Sequence, residues 1–358
     1  MKKIFLIIGL LGTSLYLSAS DLEFNGFIDT YHAVRLKGQH EFNASRTRFR
    51  GEIFYQIEDA SFFSSFNATS NNILEDETGI ELREAFMEYV ASKWDIRVGR
   101  QIITWGKADG MQITDIICPG DYTEFITRDF DDIRIPIESV KFRWLPGFAD
   151  FEMIWLPFFK ASVLPSGNNP WKISQEFDSD NEIVFKQTIE PENKLENSEI
   201  AGKISLYLSG IDFAFSGFYT WDDLPAIHEQ TTNDTTYLQP EHHRLNYFGM
   251  EMNKPIGDFV VRSEIAFYQN KFFRNLSADD KTDKKDLLKA VLGLDWYPGN
   301  DWNFSFQFAN DLILKYDENL ETDENISVAT LNISKKILRQ TLGFSNMLYF
   351  GFNEKDIY

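Results

Sequence analysis

The stretch Ser45-Arg46-Thr47-Arg48-Phe49-Arg50-Gly51-Glu52-Ile53-Phe54-Tyr55-Gln56-Ile57-Glu58 alternates along its length. Its odd positions include Phe49, Gly51, Ile53, Tyr55 and Ile57, while the even ones are Arg46, Arg48, Arg50, Glu52, Phe54, Gln56 and Glu58. Successive side chains of a strand point to opposite faces, so a period of two predicts a strand with one apolar and one charged face. The pattern recurs. Trp302, Phe304, Phe306 and Phe308 alternate with Asn303, Ser305, Gln307 and Ala309; Ile211, Phe213, Phe215, Gly217, Tyr219 and Trp221 alternate with Asp212, Ala214, Ser216, Phe218 and Thr220. Leu288, Ala290, Leu292, Leu294 and Trp296 alternate with Lys289, Val291, Gly293 and Asp295. A tilted strand needs roughly nine to eleven residues to cross a bilayer, whereas soluble strands average about five or six. Several of these segments have the longer span, and their apolar faces end in Trp94, Trp144, Trp221, Trp296 and Trp302, where interfacial girdles sit.

Working outward, strands are expected near 22–36, 45–57, 60–70, 80–90, 94–104, 137–144, 149–156, 199–208, 211–221, 243–253, 259–268, 287–297, 302–313, 326–334 and 341–352. Every second connection is tight, such as Glu58-Asp59, Ala91-Ser92-Lys93, Leu145-Pro146-Gly147 and Ser209-Gly210. The others are long: 37–44, 71–79, 105–136, 157–198, 222–242, 269–286 and 314–325. Short-long alternation is the mark of an outer-membrane barrel, with tight periplasmic turns and longer external loops. A sandwich has no reason to keep it. The reading is all-β: a transmembrane antiparallel up-and-down β-barrel of about 15–16 strands. The segments 80–90 and 243–253 alternate poorly, so their facing is open.

The ends of the chain and its composition fit that class. Lys2 and Lys3, an apolar run from Ile4 to Leu17, and Ser18-Ala19-Ser20 form a secretory signal peptide over 1–20, with cleavage expected after Ala19 or Ser20. Residues 21–358 then form the barrel, an outer-membrane localisation. The formal charge of −20 becomes −22 without Lys2 and Lys3, which argues against nucleic acid. Phe at 33, Tyr at 14 and Trp at 8 are high counts, yet the mean hydropathy is slightly negative; a soluble core and a lipid-facing aromatic band are both allowed by this composition. The single cysteine, Cys118, excludes an intramolecular disulfide. Fifteen strands leave the two ends of the sheet on opposite sides of the membrane, so we expect that one closing strand is missing and the intact barrel has sixteen. The alternative is a miscount at 80–90, at 243–253 or inside 157–198.

One segment stands apart. Residues 105–136 show no clean period and carry Asp109, Asp115, Asp121, Glu124, Asp129, Asp131 and Asp132 against Lys107, Arg128 and Arg134. A connection of that length without regular structure is usually functional. It is read as a constriction loop folded into the lumen, carried by Asp109, Asp115, Asp121, Asp129, Asp131, Asp132 and Arg134. The plainer reading is a solvated surface loop. Arg46, Arg48, Arg50, Arg97, Gln101, Arg262 and Glu264 are expected to line the pore. The arginines either set up a transverse field against the acidic loop or pair with inward acids such as Asp29 and Glu52.

The run Gly99-Arg100-Gln101, Trp105-Gly106-Lys107-Ala108-Asp109-Gly110, Thr114-Asp115, Pro119, Asp121-Tyr122 and Asp131-Asp132-Ile133-Arg134-Ile135-Pro136 resembles a functionally uncharacterised family of Gram-negative outer-membrane porin-like proteins. The close match covers roughly 84–144. The resemblance implies a barrel and a membrane and says little about cargo.

Function read this way is passive passage of small solutes through a porin-like channel narrowed by 105–136. The alternatives are an outer-membrane component of an export system for lipid-like molecules, working with a periplasmic partner, and a barrel hydrolase. The partners expected are outer-membrane lipid, lipopolysaccharide and small-molecule solutes. Of the five histidines only His32 falls in a well-marked strand, on the Leu22/Phe24/Ile28 face. His40, His228, His242 and His243 sit in or beside loops, where a solvated imidazole is the default. No Gly-x-Ser-x-Gly elbow or phosphate cradle occurs, so no catalytic residue is assigned and the protein is read as no enzyme. Asp129, Asp131 and Asp132 lack calcium spacing, so neither metal nor cofactor is expected.

Overall fold

The computed structural model describes residues 22–35, 41–106, 111–124, 127–129, 131–172 and 181–353. The expected signal peptide lies outside them. Fifteen strands form one antiparallel sheet in chain order. They are β1 (Leu22–Val34), β2 (Phe42–Ile57), β3 (Ala60–Asn71), β4 (Gly79–Val90), β5 (Trp94–Gln101), β6 (Ile137–Trp144) and β7 (Asp150–Leu156). After β8 (Glu182–Phe185), which stands aside, come β9 (Glu199–Leu208) and β10 (Ile211–Trp221). Then β11 (Ala226–Thr232) and β12 (Thr235–Glu241) also stand aside. The wall resumes with β13 (Arg244–Ile256), β14 (Phe259–Arg274), β15 (Thr282–Trp296), β16 (Trp302–Leu314), β17 (Asn325–Ile337) and β18 (Leu342–Gly351). This is an all-β, up-and-down transmembrane barrel architecture. Its strand count agrees with the periodicity, and 80–90 and 243–253 are each one strand.

Residues paired directly across an antiparallel ladder share a face. In the β1–β2 ladder Phe27, Asp29 and Tyr31 face inward beside Arg50, Arg48 and Arg46, and Phe24 and Ile28 face outward beside Ile53 and Phe49. The outward set is bare: Phe24 is 69% and Ile28 73% exposed. Exposed apolar side chains continue around the wall at Val98, Met153, Phe215, Phe248, Leu292 and Phe306. Burying such a surface in hydrocarbon rather than water is worth about 25 cal/mol per Å² of apolar area. At the tight-turn end aromatic rings meet tilted or stacked. Trp94 lies 5.4 Å from Tyr89, Trp144 lies 5.1 Å from Phe151, and Trp296 lies 6.0 Å from Phe259 and 5.3 Å from Phe304. That belt matches the interfacial girdle of a membrane barrel.

The two segments that alternated poorly have separate reasons. In β4 the register against β3 shifts between Ser65 and Phe66, leaving Arg83 as the extra residue of a bulge. A bulge re-aims a side chain and breaks the period of two. In β13 the inward residues Leu245 and Tyr247 are apolar and buried, so the two faces cannot be told apart by polarity.

β8 is a short strand inside 157–198, the alternative left open there, whereas β11 and β12 within the long connection 222–242 were not expected. Together they form a three-stranded sheet in which β12 pairs antiparallel with β11 and parallel with β8. The connection expected at 269–286 shrinks to 275–281, because β14 and β15 run on past a bulge between Tyr268 and Lys271.

Candidate functional site

The connection from β5 to β6 lies against the inner wall. Its apolar residues Ile103, Trp105, Met111, Ile113 and Ile117 are buried in one cluster with Ile137, Ile154, Phe218, Tyr247 and Tyr268 of the wall. Fully burying each large apolar side chain contributes about 1.5–3 kcal/mol, so the segment has a core of its own. Hydrogen bonds fix its path. The Trp105 indole N–H donates to Glu152 on β7 at 2.6 Å, and its backbone N–H donates to Asp115 at 2.9 Å. The Thr114 hydroxyl donates to Glu264 on β14 at 2.7 Å, and the Tyr268 hydroxyl donates to the Ile113 carbonyl at 3.1 Å. Gly106, at φ 75°, is needed there: a Cβ would come within 2.6 Å of the Thr114 hydroxyl and 3.0 Å of the Glu264 carboxylate.

The acidic half of the same connection reaches the arginines of β2. Arg46 donates to Glu124 at 2.5 Å and to the Thr127 carbonyl at 2.9 Å. Asp132 accepts from Arg48 at 2.8 Å and from Arg50 at 2.7 Å, with the Arg83 guanidinium 3.7 Å away. The bulge at Arg83 thus aims a third guanidinium at one carboxylate, and Arg83 also donates to the Asp131 carbonyl at 2.9 Å. Burial pushes the Asp132 carboxyl up, but the hydrogen bonds from Arg50 and Arg48 outweigh it and hold it below the usual range. Asp115 differs. Burial raises it above that range despite its pairing with Arg134 at 2.6 Å. The neighbouring Cys118 thiol is buried and pushed up to about 12, so it is an inert packing group. Arg128 gathers Glu77, Asp121 and Glu124. Two cavities flank the segment. One, of about 480 Å³, lies toward β2–β5 and is lined by Arg46, Arg48, Arg83, Glu77 and Asp121. The other, of about 270 Å³, is lined by Tyr122, Asp222, Asp223, Lys271 and Lys289.

A single connection that touches β2, β7 and β14, strands far apart around the sheet, can do so only on the concave side of a curved wall. The family model for protein of unknown function DUF1302 matches residues 19–354. The chain belongs to the DUF1302 family. No curated relative matches. Among solved structures, this DUF1302 chain is similar to a loop L8 deletion mutant of OmpT, an outer membrane protein of Vibrio cholerae. Identity is 10% over 92% of this chain and 93% of that one, with a TM-score of 0.54. It is also similar to Salmonella typhi OmpF in complex with daunomycin, at 10% identity, 92% and 89% coverage and a TM-score of 0.53. A refined porin structure is 12% identical over 93% and 95%, with a TM-score of 0.51. At such identities the likeness is one of fold.

Within the DUF1302 barrel the expected pore-lining residues all face inward, and most are in contact with other protein groups. Arg46, Gln101 and Glu264 are buried. Gln101 donates to the Ser139 carbonyl at 3.1 Å. Arg97 pairs with Glu88 at 2.9 Å, and Arg262 with Asp295 at 2.7 Å. The arginine ladder meets the acids of the connection in direct ion pairs, with Asp29 adding a wall carboxylate to Arg48 at 3.0 Å. Of the loop residues, Asp115, Asp121, Asp132 and Arg134 are tied into this network. Asp131 is exposed and pairs with Arg134 at 2.6 Å, and Asp129 is exposed. Asp109 lies outside the described residues. Sequence reasoning did not single out Arg83, Glu152 or Arg128 as partners. The broken alternation around Arg83 was the one local signal of its role.

The reading of His228, His242 and His243 as solvated loop histidines is corrected, while His40 lies outside the described residues. His242 is buried against Phe159, with ring centroids 4.9 Å apart, and His228 and His243 touch through their Nε2 atoms at 2.8 Å. A β-strand, β11, carries His228 to that contact.

Proposed function

We propose that this chain is a porin-like outer-membrane channel for passive passage of small solutes, its lumen narrowed by the connection between β5 and β6. The observation that carries the reading is that one connection is bonded to Arg46, Arg48 and Arg50 on one wall and to Glu264 on another. A bare apolar outer face with an aromatic belt supports the membrane, and the fold shared with outer-membrane porins supports the channel class. Because the arginines are paired with Asp132, Glu124 and Asp29, selection rests on the size and polarity of the remaining space more than on an open cationic wall. The cavity of about 480 Å³ on the β2–β5 side is lined by both charge signs, which suits small polar solutes.

The hydrolase alternative has one contact in its favour. His32 Nδ1 lies 3.1 Å from the Ser45 hydroxyl on the outer face, but His32 Nε2 meets the Thr30 hydroxyl at 2.9 Å instead of a carboxylate orienter. A base so placed lacks the third group that fixes its tautomer. The channel reading is therefore preferred.

The test is conductance in a planar bilayer of the full chain and of a variant lacking 109–132. A steady open pore, with markedly larger conductance in the deletion variant, is expected. Absence of a steady pore in both would overturn the channel in favour of an export component. A pore unchanged by the deletion would return the segment to a peripheral role.

A further inference from the structure

The small sheet beside the barrel wall brings together three metal-ligating side chains that the channel does not use. His228 projects from β11, Glu241 ends β12, and His243 sits in the link to β13. One donor atom from each lies within 4.8 Å of the other two. The closest approach is His228 Nε2 to His243 Nε2 at 2.8 Å, and Glu241 Oε1 is 4.0 Å from His243 Nδ1. Among the described residues this is the one group of three or more His, Cys, Asp and Glu with metal-binding spacing.

The surroundings point the same way. His228 Nδ1 lies 3.0 Å from Asp280 Oδ2, and Asp280 is itself held by the Thr282 backbone N–H at 3.2 Å and hydroxyl at 3.1 Å. An imidazole whose Nδ1–H donates to an oriented carboxylate presents a bare Nε2 lone pair, the arrangement that supports metal-bound histidines. His243 is fixed by stacking on Phe272, with centroids 3.8 Å apart and an interplanar angle of 21°. The Nε2 atoms of the two imidazoles face each other in a hydrogen bond of 2.8 Å. Metal–nitrogen bonds of about 2.0–2.1 Å at a tetrahedral angle would set the nitrogens roughly 3.3 Å apart, so opening the pair by about 0.5 Å admits an ion. The nearby cations Lys271 and Arg274 already face acids, Asp222 at 2.5 Å and Glu229 at 3.5 Å. Lys284 lies over the Phe272 ring at 4.9 Å, on a group that is not a ligand. His243 also lines a cavity of about 190 Å³, which gives a fourth, solvent ligand an approach.

We propose that His228, Glu241 and His243 bind a divalent transition-metal ion of the zinc class, with Asp280 orienting His228. Two histidines and one carboxylate suit zinc and its neighbours better than calcium or magnesium, which take oxygen donors. Such an ion fastens the β11–β12 hairpin to the start of β13, and through Asp280 to the β14–β15 connection. It acts as a staple on the long-connection end of the barrel.

The experiment uses the folded full chain in detergent, without a polyhistidine tag, and zinc ion alone as probe. Calorimetric titration should show one saturable zinc per chain. Substituted cobalt(II) should give intense visible bands of a low-coordinate site. His228→Ala and His243→Ala should abolish saturable binding, while heat-modifiable migration reports that each variant is folded. Asp280→Asn keeps all three ligands and should weaken binding about 10–100-fold. Absence of a saturable site in the wild-type chain overturns the proposal. So does equal zinc affinity in the folded histidine variants. An Asp280→Asn affinity equal to wild type removes Asp280 from it.

Discussion

Replacing Asp132 by asparagine keeps the side-chain volume and removes one negative charge from a node of three guanidiniums. In the native barrel Asp132 accepts from Arg48 at 2.8 Å and Arg50 at 2.7 Å, with side-chain exposures of 9%, 12% and 12%. Hydrogen bonds to charged groups contribute about 1.5–3 kcal/mol each, and removing one partner of a buried pair costs roughly 3–5 kcal/mol because the remaining charge stays uncompensated. Arg48 keeps Asp29 and Arg50 keeps Asn67 at 2.8 Å, so the lower end of that range is expected. About 3 kcal/mol corresponds to roughly a hundredfold rise in local opening. The connection remains tethered through Arg46–Glu124 and Thr114–Glu264, so the opening is confined to the segment around 131–134. Amide hydrogen exchange of the folded protein in detergent reads this directly. The amides of Asp132 and Ile133, which donate to the Asp129 carbonyl, should lose about two orders of magnitude of protection, and those of β10 none. Asp129→Asn, at an exposed carboxylate, serves as control and should change nothing. Protection within threefold of wild type in Asp132→Asn would refute the view that this charge node holds the connection to the wall.

The protein is expected to fractionate with outer membranes and to show heat-modifiable migration; recovery in the soluble periplasm would end the barrel reading. Gly99→Ala should destabilise the barrel, because Gly99 sits at φ 135° and a Cβ would lie 2.3 Å from the Ala85 carbonyl oxygen. Strain of that kind costs about 1–3 kcal/mol, and a denaturant midpoint indistinguishable from wild type would count against it. The pH dependence has a defined sign. A depressed carboxyl such as Asp132 contributes stability that is fully present above about pH 3.9 and lost as pH falls through its lower folded value. Asp115, raised by burial, works oppositely: its contribution is largest at low pH and fades as pH rises through its folded value. Protection near 132, corrected for intrinsic exchange, should therefore survive down to about pH 4 and collapse below it; loss already at pH 5–6 would contradict the assignment.

Strand number and facing were legible wherever one face met lipid and the other met polar groups, as at Arg46-Thr47-Arg48-Phe49-Arg50. There the pleat alone converts alternation into geometry. Legibility failed where that contrast disappears. Tyr247 and Leu245 face an apolar plug instead of water, and the extra residue at Arg83 resets the period. The strands β8, β11 and β12 stand outside the wall sheet, so the contrast between lipid and lumen does not pattern them.

The chain by itself determined the all-β class, the fifteen wall strands and the standing of 105–136 as a long acidic connection without a clean period. These follow from side-chain period and chain length, which are local properties. Only the tertiary structure decided partners. Asp132 finds Arg48 and Arg50, Thr114 finds Glu264, and His228 meets His243 beside Asp280. Those pairings join residues that are distant in sequence, and curvature of the wall brings them together. A period of two says which way a side chain points, and nothing about what it will meet there.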